Sequence, residues 1–223
     1  MGKLIIIEAG DGSGKATQTK RLYERLKENT YNVRKVSFPN YESPSSALIK
    51  MYLSGSFGER ADDVNPYVAS TFYAVDRFAS FKTEWADFYE EDGIVLADRY
   101  TTSNMVHQAS KIKDSNERDT FMDWLSDFEF NLFQLPKPDL VIFLDMPPEF
   151  SRKLMEDRNN KFTGEAEKDI HESDEDHLMD AYVNAKAIAD KYGWVQVACT
   201  ENGRIKTIDE IHELIYNKVK EIL

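Results

Sequence analysis

The sequence predicts an α/β fold in which a parallel sheet of five strands lies between two layers of helices. Short, continuously apolar runs at 4–7, 94–97 and 140–144 are typical of strands that helices cover on both faces. Segments with apolar residues at helical spacing separate these runs, and this alternation favours right-handed crossovers within one sheet. We expect a single domain over residues 1–223.

The other elements are predicted from periodicity and from residues that begin or end helices. Two further strands are predicted at 33–38 and 194–199. The prolines at 147–148 begin one helix, and Thr207 with Glu210 three residues later forms a capping box that begins the last helix. Six more helices are predicted where apolar residues recur at helical spacing: 19–26, 45–53, 64–88 (with one potential break), 103–111, 116–135 and 178–192.

Composition and charge restrict the class of protein. Hydrophobic residues make up 41% of the chain and charged residues 30%, which is typical of a soluble globular protein. The net charge of −12 repels polyanions, so we expect no nucleic-acid polymer as a partner. The single cysteine, Cys199, excludes an internal disulfide, and the apolar run at 4–7 is too short for a signal peptide or a membrane span. We expect a cytoplasmic protein that does not bind membranes.

A glycine-rich turn follows the first apolar run. Its glycines permit backbone angles that let successive N–H groups converge on one anion. The helix that begins near Gly14 adds its positive end, and Lys15 supplies an ammonium for the β and γ phosphates of a nucleotide. The predicted phosphate-binding loop comprises Gly10, Asp11, Gly12, Ser13, Gly14, Lys15, Ala16 and Thr17.

The loop departs from the usual phosphate-loop pattern at two positions. Ala9 replaces the first glycine, and Ala16 replaces the serine or threonine that usually binds Mg²⁺. Asp11, inside the loop, is our candidate substitute for holding the metal or its waters, and Asp98 is a second candidate ligand. The alternative interpretation is a glycine-rich turn followed by a solvated lysine.

Further candidate binding residues follow a predicted strand or lie on predicted helices. Asp98 and Arg99 come directly after a buried strand, where a guanidinium suits a phosphate, although a structural ion pair is the alternative. Tyr73 lies four residues before Arg77, so a base could stack on Tyr73 while Arg77 donates to its edge, with core packing as the alternative. Donors and acceptors for a base or sugar recur at helical spacing after Asp98: Ser103, Asn104, His107 and Gln108.

The segment from about 152 to 172 is polar and rich in charge, and we expect a mobile lid there. Basic residues on a lid can close over phosphates and neutralise charge in a transition state. A solvated charged loop is the alternative. The basic residues in question are Arg152, Lys153, Arg158, Lys161 and Lys168.

Together these motifs resemble those of the thymidylate kinases, in order and separation, over nearly the whole chain. The resemblance implies a three-layer fold like that of P-loop NTPases, usually a homodimer, which transfers the γ-phosphoryl group of ATP to dTMP with Mg²⁺. It rests on Glu8 with the phosphate loop, Phe38-Pro39, Tyr73 with Arg77, Asp98-Arg99-Tyr100 with Ser103 and Asn104, and the lid.

The resemblance also implies roles for individual residues. Lys15 would hold the ATP phosphates, Arg99 the dTMP phosphate, and Asp11 the metal or the acceptor phosphate region. Because the phosphate loop contains no arginine, the lid would supply the catalytic arginine, for which Arg158 is our candidate. The dTMP pocket would comprise Asp11, Phe38, Tyr41, Tyr73, Arg77, Arg99, Ser103, Asn104, His107 and Gln108.

Two other functions are compatible with the sequence. The first is a kinase for a deoxynucleoside or for another nucleoside monophosphate, because the single methyl group that distinguishes thymine from uracil is worth only about 1–3 kcal/mol. The second is a nucleotide-binding regulator without catalytic activity, which the absence of a hydroxyl at Ala16 would favour.

Overall fold

The computed structural model describes residues 2–159 and 175–223, with a five-stranded parallel sheet at its centre. The spatial order of the strands is β2-β3-β1-β4-β5, and every neighbouring pair is parallel. The predicted α/β architecture is therefore confirmed. The strands are β1 (Lys3–Glu8), β2 (Val33–Ser37), β3 (Ile94–Asp98), β4 (Leu140–Asp145) and β5 (Val195–Ala198).

Helices connect the strands and cover both faces of the sheet. A short antiparallel hairpin, β6 (Thr200–Glu201) and β7 (Arg204–Ile205), follows β5 and was not predicted from the sequence. In the described part of the chain, the helices are α1 (Lys15–Glu28), α2 (Ala47–Leu53), α3 (Pro66–Ser80), α4 (Ala86–Glu90), α5 (Thr101–His107), α6 (Ser115–Ser126), α7 (Pro148–Asn159), α8 (Glu175–Tyr192) and α9 (Ile208–Lys220).

Two of the predicted long helices contain π-helical turns. The helix predicted over 64–88 divides into α3 and α4 around the π turn Phe81–Trp85, which is the break that the sequence allowed. The helix predicted over 116–135 continues from α6 into a second π turn, Asp127–Leu132. Such turns change which side chains point inward and are frequent at functional sites.

Alternate residues of β1 pack on opposite faces of the sheet, so the core has two sides. Ile5 packs with Leu22 of α1 and Ile215 of α9 on one face. Ile6 packs with Trp85 of the first π turn on the other face. Ile5 and Ile6 are both fully buried, as expected for a central strand between two helical layers.

The carboxyl ends of three neighbouring strands lie at one edge of the sheet. Ile7 and Ser37 are both aligned with Asp98 across the sheet. The backbone N–H of Phe38 donates to the carbonyl of Asp98 at 3.0 Å, and the N–H of Arg99 donates to the carbonyl of Ile7 at 3.2 Å. The loops after β1, β2 and β3 therefore meet at the edge where ligands of such sheets bind.

Candidate active site

The phosphate loop joins β1 to α1 through two glycines with left-handed backbone. Gly12 has a φ of 72° and Gly14 a φ of 80°, whereas Gly10 does not use this freedom. A Cβ atom at Gly12 would lie 2.9 Å from the carbonyl oxygen of Ser151 and 2.5 Å from Cγ of Met155, so the loop lies directly against α7. The conformation and the contact both require glycine at position 12.

Lys15, the first residue of α1, forms an ion pair with the carboxylate at the end of β3. Its Nζ lies 2.5 Å from Oδ1 of Asp98, and its side chain is 13% exposed. Burial lowers the pKa of Lys15, and the charge of Arg99 lowers it further, whereas Asp98 opposes this shift. Lys15 is thus held in place within the loop, where its ammonium could contact a phosphate.

Arg99 is the centre of a second group of charges. Its φ of 67° is unusual for a residue with a side chain, and such strain is concentrated at functional sites. Its guanidinium donates to Asp11 and to Nε2 of His107 at 3.0 Å, and lies 3.5 Å from Oε1 of Glu8. Because a guanidinium only donates, Nε2 of His107 is the acceptor in this hydrogen bond.

Arg99 and the carboxylates around it stabilise each other in their charged forms. Burial would lower the pKa of Arg99, but the negative charges of Asp11, Glu8 and Asp98 raise it above its ordinary value. Burial would raise the pKa of Asp11, but the charges of Arg99 and its neighbours hold it below its usual range. Arg99 and Asp11 therefore stay charged in the same partly buried site.

Glu8, the last residue of β1, is a site residue to which the sequence assigned no role. Its side chain is fully buried and accepts hydrogen bonds from the N–H of Ala9 at 3.1 Å and from the hydroxyls of Thr102 and Ser103, each at 2.8 Å. It therefore links the phosphate loop to the first turn of α5. A charged residue at the end of an apolar strand was the feature that could have identified it.

A cavity opens beside Arg99, and all ten residues predicted for the acceptor pocket line it. The lining includes aromatic rings and amide groups as well as the charged side chains of Asp11, Arg77 and Arg99. Pro39, Leu53 and Tyr100 complete the lining and were not among the predicted pocket residues. The full lining is Asp11, Phe38, Pro39, Tyr41, Leu53, Tyr73, Arg77, Arg99, Tyr100, Ser103, Asn104, His107 and Gln108.

The loop that follows β2 is attached to α3 by a buried carboxylate. Asp76 is 1% exposed and accepts hydrogen bonds from the N–H of Asn40 at 2.8 Å and the hydroxyl of Ser45 at 2.5 Å. The Phe38–Pro39 peptide bond, just before this attachment, is cis. Asp76 therefore holds Phe38 and Tyr41 at the wall of the cavity.

Arg77 lines the cavity, but most of its guanidinium is engaged in an ion pair. Nε and Nη2 donate to the two carboxylate oxygens of Glu129 at 2.7 and 2.6 Å. Both side chains are buried, with exposures of 1% and 0%. Arg77 thus lies at the cavity, as predicted, whereas nothing in the sequence pointed to Glu129.

The remaining predicted residues lie outside the cavity lining or outside the described residues. Ser13 is buried in the loop, and Arg152 and Lys153 are exposed on α7. The backbone of Arg158 lies in α7, but its side chain is outside the described residues, as are Lys161, Lys168 and most of the predicted lid.

The candidate metal ligands are both paired with cations. Asp11 contacts Arg99, and Asp98 contacts Lys15. Within residues 2–159 and 175–223, no three His, Cys, Asp or Glu side chains are grouped as a metal site would require. Sites that hold Mg²⁺ through one or two carboxylates and the phosphates of a substrate do not need such a group, and this donor set fits that arrangement.

Comparison with known proteins decides between the families that this geometry allows. A family model described as thymidylate kinase matches residues 7–210. The chain belongs to the thymidylate kinase family. This confirms the resemblance and agrees with the fold and with the order of the motifs.

Three curated members of the family match along more than nine tenths of their own length. The thymidylate kinase of Mycobacterium tuberculosis is 28% identical over 206 residues, which cover 91% of this chain and 94% of the relative. The thymidylate kinase of Plasmodium falciparum is 27% identical over 99% of this chain and 91% of its own length. The thymidylate kinase of Danio rerio is 23% identical over 100% of this chain and 92% of its own length. None of the described helices is long and apolar enough to cross a membrane.

Proposed function

We propose that this chain transfers the γ-phosphoryl group of ATP to dTMP and releases dTDP and ADP. The observation that carries the proposal is the cavity beside the phosphate loop, in which Arg99 and the ring of Tyr73 both form part of the wall. A nucleoside monophosphate has the same two parts, a dianionic phosphate and a planar base. Family membership supports ATP as the donor and dTMP as the acceptor.

We assign the ATP phosphates to the phosphate loop and dTMP to the cavity, which Asp11 of the loop also lines. Lys15 and the N–H groups of residues 10–17 bind the ATP phosphates. Arg99 binds the phosphate of dTMP, and Tyr73 stacks on its base. Four residues on or just after α5 line the cavity and form hydrogen bonds with the sugar and the edge of the base: Ser103, Asn104, His107 and Gln108.

The reaction needs positioning and charge neutralisation more than covalent work from the protein. The attacking oxygen of dTMP is already anionic, so no general base is required. Lys15 and Arg99 supply fixed positive charge, and Arg158 in the proposed lid at about 152–172 of this single domain supplies further charge. When bound, Mg²⁺ would neutralise charge on the phosphoryl oxygens, and Asp11 and Asp98 are the carboxylates that would hold it.

A panel of acceptors tests the proposed function. The purified protein with ATP and Mg²⁺ is given each common nucleoside monophosphate and each deoxynucleoside, and ADP release is measured in a coupled assay. We expect dTMP to give the highest kcat/KM. A much higher value for another acceptor would refute the assignment, and ATP and dTMP binding without turnover would identify a regulator.

A pair of lysine variants tests the phosphate loop. Lys15→Ala is expected to lower kcat by at least about 100-fold, because it removes a positioned charge that stabilises the transferring phosphate. Lys20→Ala is the matched control, since Lys20 lies on the same helix and is 69% exposed. Full turnover in folded Lys15→Ala would remove the loop lysine from the mechanism.

We also propose that the protein is a homodimer whose interface includes α3. Val68 and Val75 lie seven residues apart on one side of α3, and each is 48% exposed. Leu48 and Met51 on the neighbouring α2 are 47% and 43% exposed. A second copy of the chain would cover these apolar side chains.

Two further predictions concern the alternative functions and the location of the protein. The comparisons give no support to the two alternative functions, the kinase for another acceptor and the inactive regulator. A cytoplasmic location stays part of the proposal, supported by the buried free thiol of Cys199.

A further inference from the structure

Glu129 lies in the π-helical turn that follows α6, and its side chain points into the protein. The side chain is fully buried, with 0% exposure. It belongs neither to the phosphate loop nor to the lining of the cavity. Carboxylates are almost never fully buried unless they are paired, so its partners show what it does.

Three side-chain donors converge on this carboxylate. Nη2 of Arg77 donates to Oε1 at 2.6 Å, and Nε of Arg77 donates to Oε2 at 2.7 Å. The hydroxyl of Thr101, at the start of α5, donates to Oε2 at 2.7 Å. The two-point contact fixes both the position and the plane of the guanidinium.

The third nitrogen of Arg77, Nη1, carries two N–H groups and donates to one backbone carbonyl. Nη1 lies 3.4 Å from the carbonyl oxygen of Tyr100. A guanidinium carries five N–H groups, and the hydrogen bonds formed by the described residues engage three of those on Arg77. Arg77 lines the cavity four residues after Tyr73, so an N–H of Nη1 can meet the edge of a base that stacks on that ring.

We propose that Glu129 is a positioning residue that determines which base the pocket accepts. By fixing Arg77, it turns a flexible side chain into a donor at one place, which favours a base with a carbonyl oxygen there and disfavours a base with an amino group. This inference rests on the proposed function, because it assigns the base edge of dTMP to Arg77. Glu129 acts through Arg77 and does not contact the substrate.

The burial of the pair supports a role in specificity. Replacement of a buried ion pair by apolar residues of similar volume is often neutral or stabilising, so stability alone is a weak reason for such a pair. A donor that is held by two hydrogen bonds also loses little conformational entropy when it meets the substrate. Discrimination between two bases requires that kind of rigid donor.

Glu129→Gln tests the proposal, because glutamine keeps the shape and one acceptor oxygen but cannot hold both nitrogens of Arg77. We measure kcat/KM for dTMP and for dCMP, which carries an amino group in place of one thymine carbonyl. The ratio of the two values is expected to fall by about tenfold, and the KM for ATP is expected to change by less than about twofold. Because a ratio does not depend on the amount of active enzyme, partial unfolding cannot produce this result.

Two more variants complete the test. Asp123→Asn, an exposed carboxylate on α6, is expected to keep the wild-type ratio. Glu129→Asp keeps the charge but shortens the side chain, and its ratio is expected to lie between those of the wild type and Glu129→Gln. A wild-type ratio in both Glu129 variants would overturn the inference, whereas a wild-type enzyme that does not phosphorylate dTMP would instead refute the proposed function.

Discussion

Two glycines of the phosphate loop have left-handed backbone but different surroundings. A Cβ atom at Gly14 would have no heavy atom within 4 Å, whereas one at Gly12 would collide with α7. Position 14 therefore requires glycine only for its backbone angle, and position 12 requires it for its angle and for space. The two requirements can be separated by measurement.

Alanine substitutions at three loop positions should give graded losses of stability. Gly14→Ala should reduce the free energy of unfolding by about 1–2 kcal/mol, the cost of a left-handed residue with a side chain. Gly12→Ala should cost more, because Ser151 contributes a backbone atom to the collision. Gly10→Ala is the control, since its Cβ atom would meet Oγ of Ser13 at an ordinary 3.7 Å. Urea unfolding measures all three, and equal losses at positions 12 and 14 would contradict the contact with α7.

Lys111 is a partly buried cation outside the catalytic site. Its Nζ donates to the hydroxyl of Tyr52 at 2.7 Å and lies 3.5 Å from the carbonyl oxygen of Val64. Burial lowers the pKa of Lys111 to about 8, although the charge of Asp62 opposes the shift. Folding is therefore coupled to release of a proton at alkaline pH.

The sign of this coupling gives a prediction for Lys111→Met. Between about pH 8 and 10.5, the unfolded chain holds the proton of Lys111 more tightly than the folded chain does, so the contribution of Lys111 to stability rises with pH. The free energy of unfolding of the wild type minus that of Lys111→Met should therefore increase across this window. Denaturant titrations at several pH values measure the difference. Lys113→Met, at a side chain that is 71% exposed, should show no such trend, and a flat profile for Lys111→Met would contradict the shifted pKa.

Single residues also show where sequence reasoning reaches its limit. The ten pocket residues are found together because motif spacing and the order of strands place them at one sheet edge. Glu8 and Glu129 received no role because the sequence alone does not show which side chains a glutamate contacts in the folded protein. Their partners, Thr102 and Arg77, are distant along the chain, and only the packed structure brings them within hydrogen-bond distance.

At the scale of elements, the capping box of α9 is a local feature that the sequence predicted and the structure confirms. The hydroxyl of Thr207 accepts from the N–H of Glu210 at 3.1 Å, and the carboxylate of Glu210 accepts from the N–H of Thr207 at 2.6 Å. Such a motif depends only on residues three positions apart, so no tertiary contact is needed to predict it.

Removal of the cap should destabilise α9 by a predictable amount. Thr207→Ala is expected to reduce the free energy of unfolding by about 1 kcal/mol, because it leaves an N–H of the first turn without its acceptor. Thr207→Ser keeps the hydroxyl and should change it much less. Thermal and urea unfolding of the three proteins measure the difference, and equal losses in both variants would show that the hydroxyl is not what stabilises the helix.

The π turns and the β6–β7 hairpin show what local patterns miss. A π turn adds one residue to a helical turn without a marker in composition, so the register of 127–132 could not be predicted from periodicity. Each hairpin strand is two residues long, too short for any alternation of polar and apolar residues. Both features depend on the packing of neighbouring elements.

At the scale of the whole molecule, the exposed face of α3 gives a prediction about assembly. Val75→Glu should convert the proposed dimer to a monomer, because it places a charge within a buried apolar contact. Val183→Glu is the control, since Val183 is 60% exposed and belongs to a different helix, α8. Sedimentation velocity measures the mass of each protein. A monomeric wild type would refute the dimer, and a dimeric Val75→Glu would place the interface elsewhere.

The ion pairs of Lys15 with Asp98 and of Arg99 with Asp11 have a consequence for affinity. In the function that we propose, each phosphate competes with a carboxylate for its cation, so it gains less binding energy than it would from an unpaired cation. We expect this competition to weaken the binding of both nucleotides and to let the carboxylates pair with the cations again as the products leave. An arrangement of this kind favours rapid exchange of bound nucleotides over their tight binding.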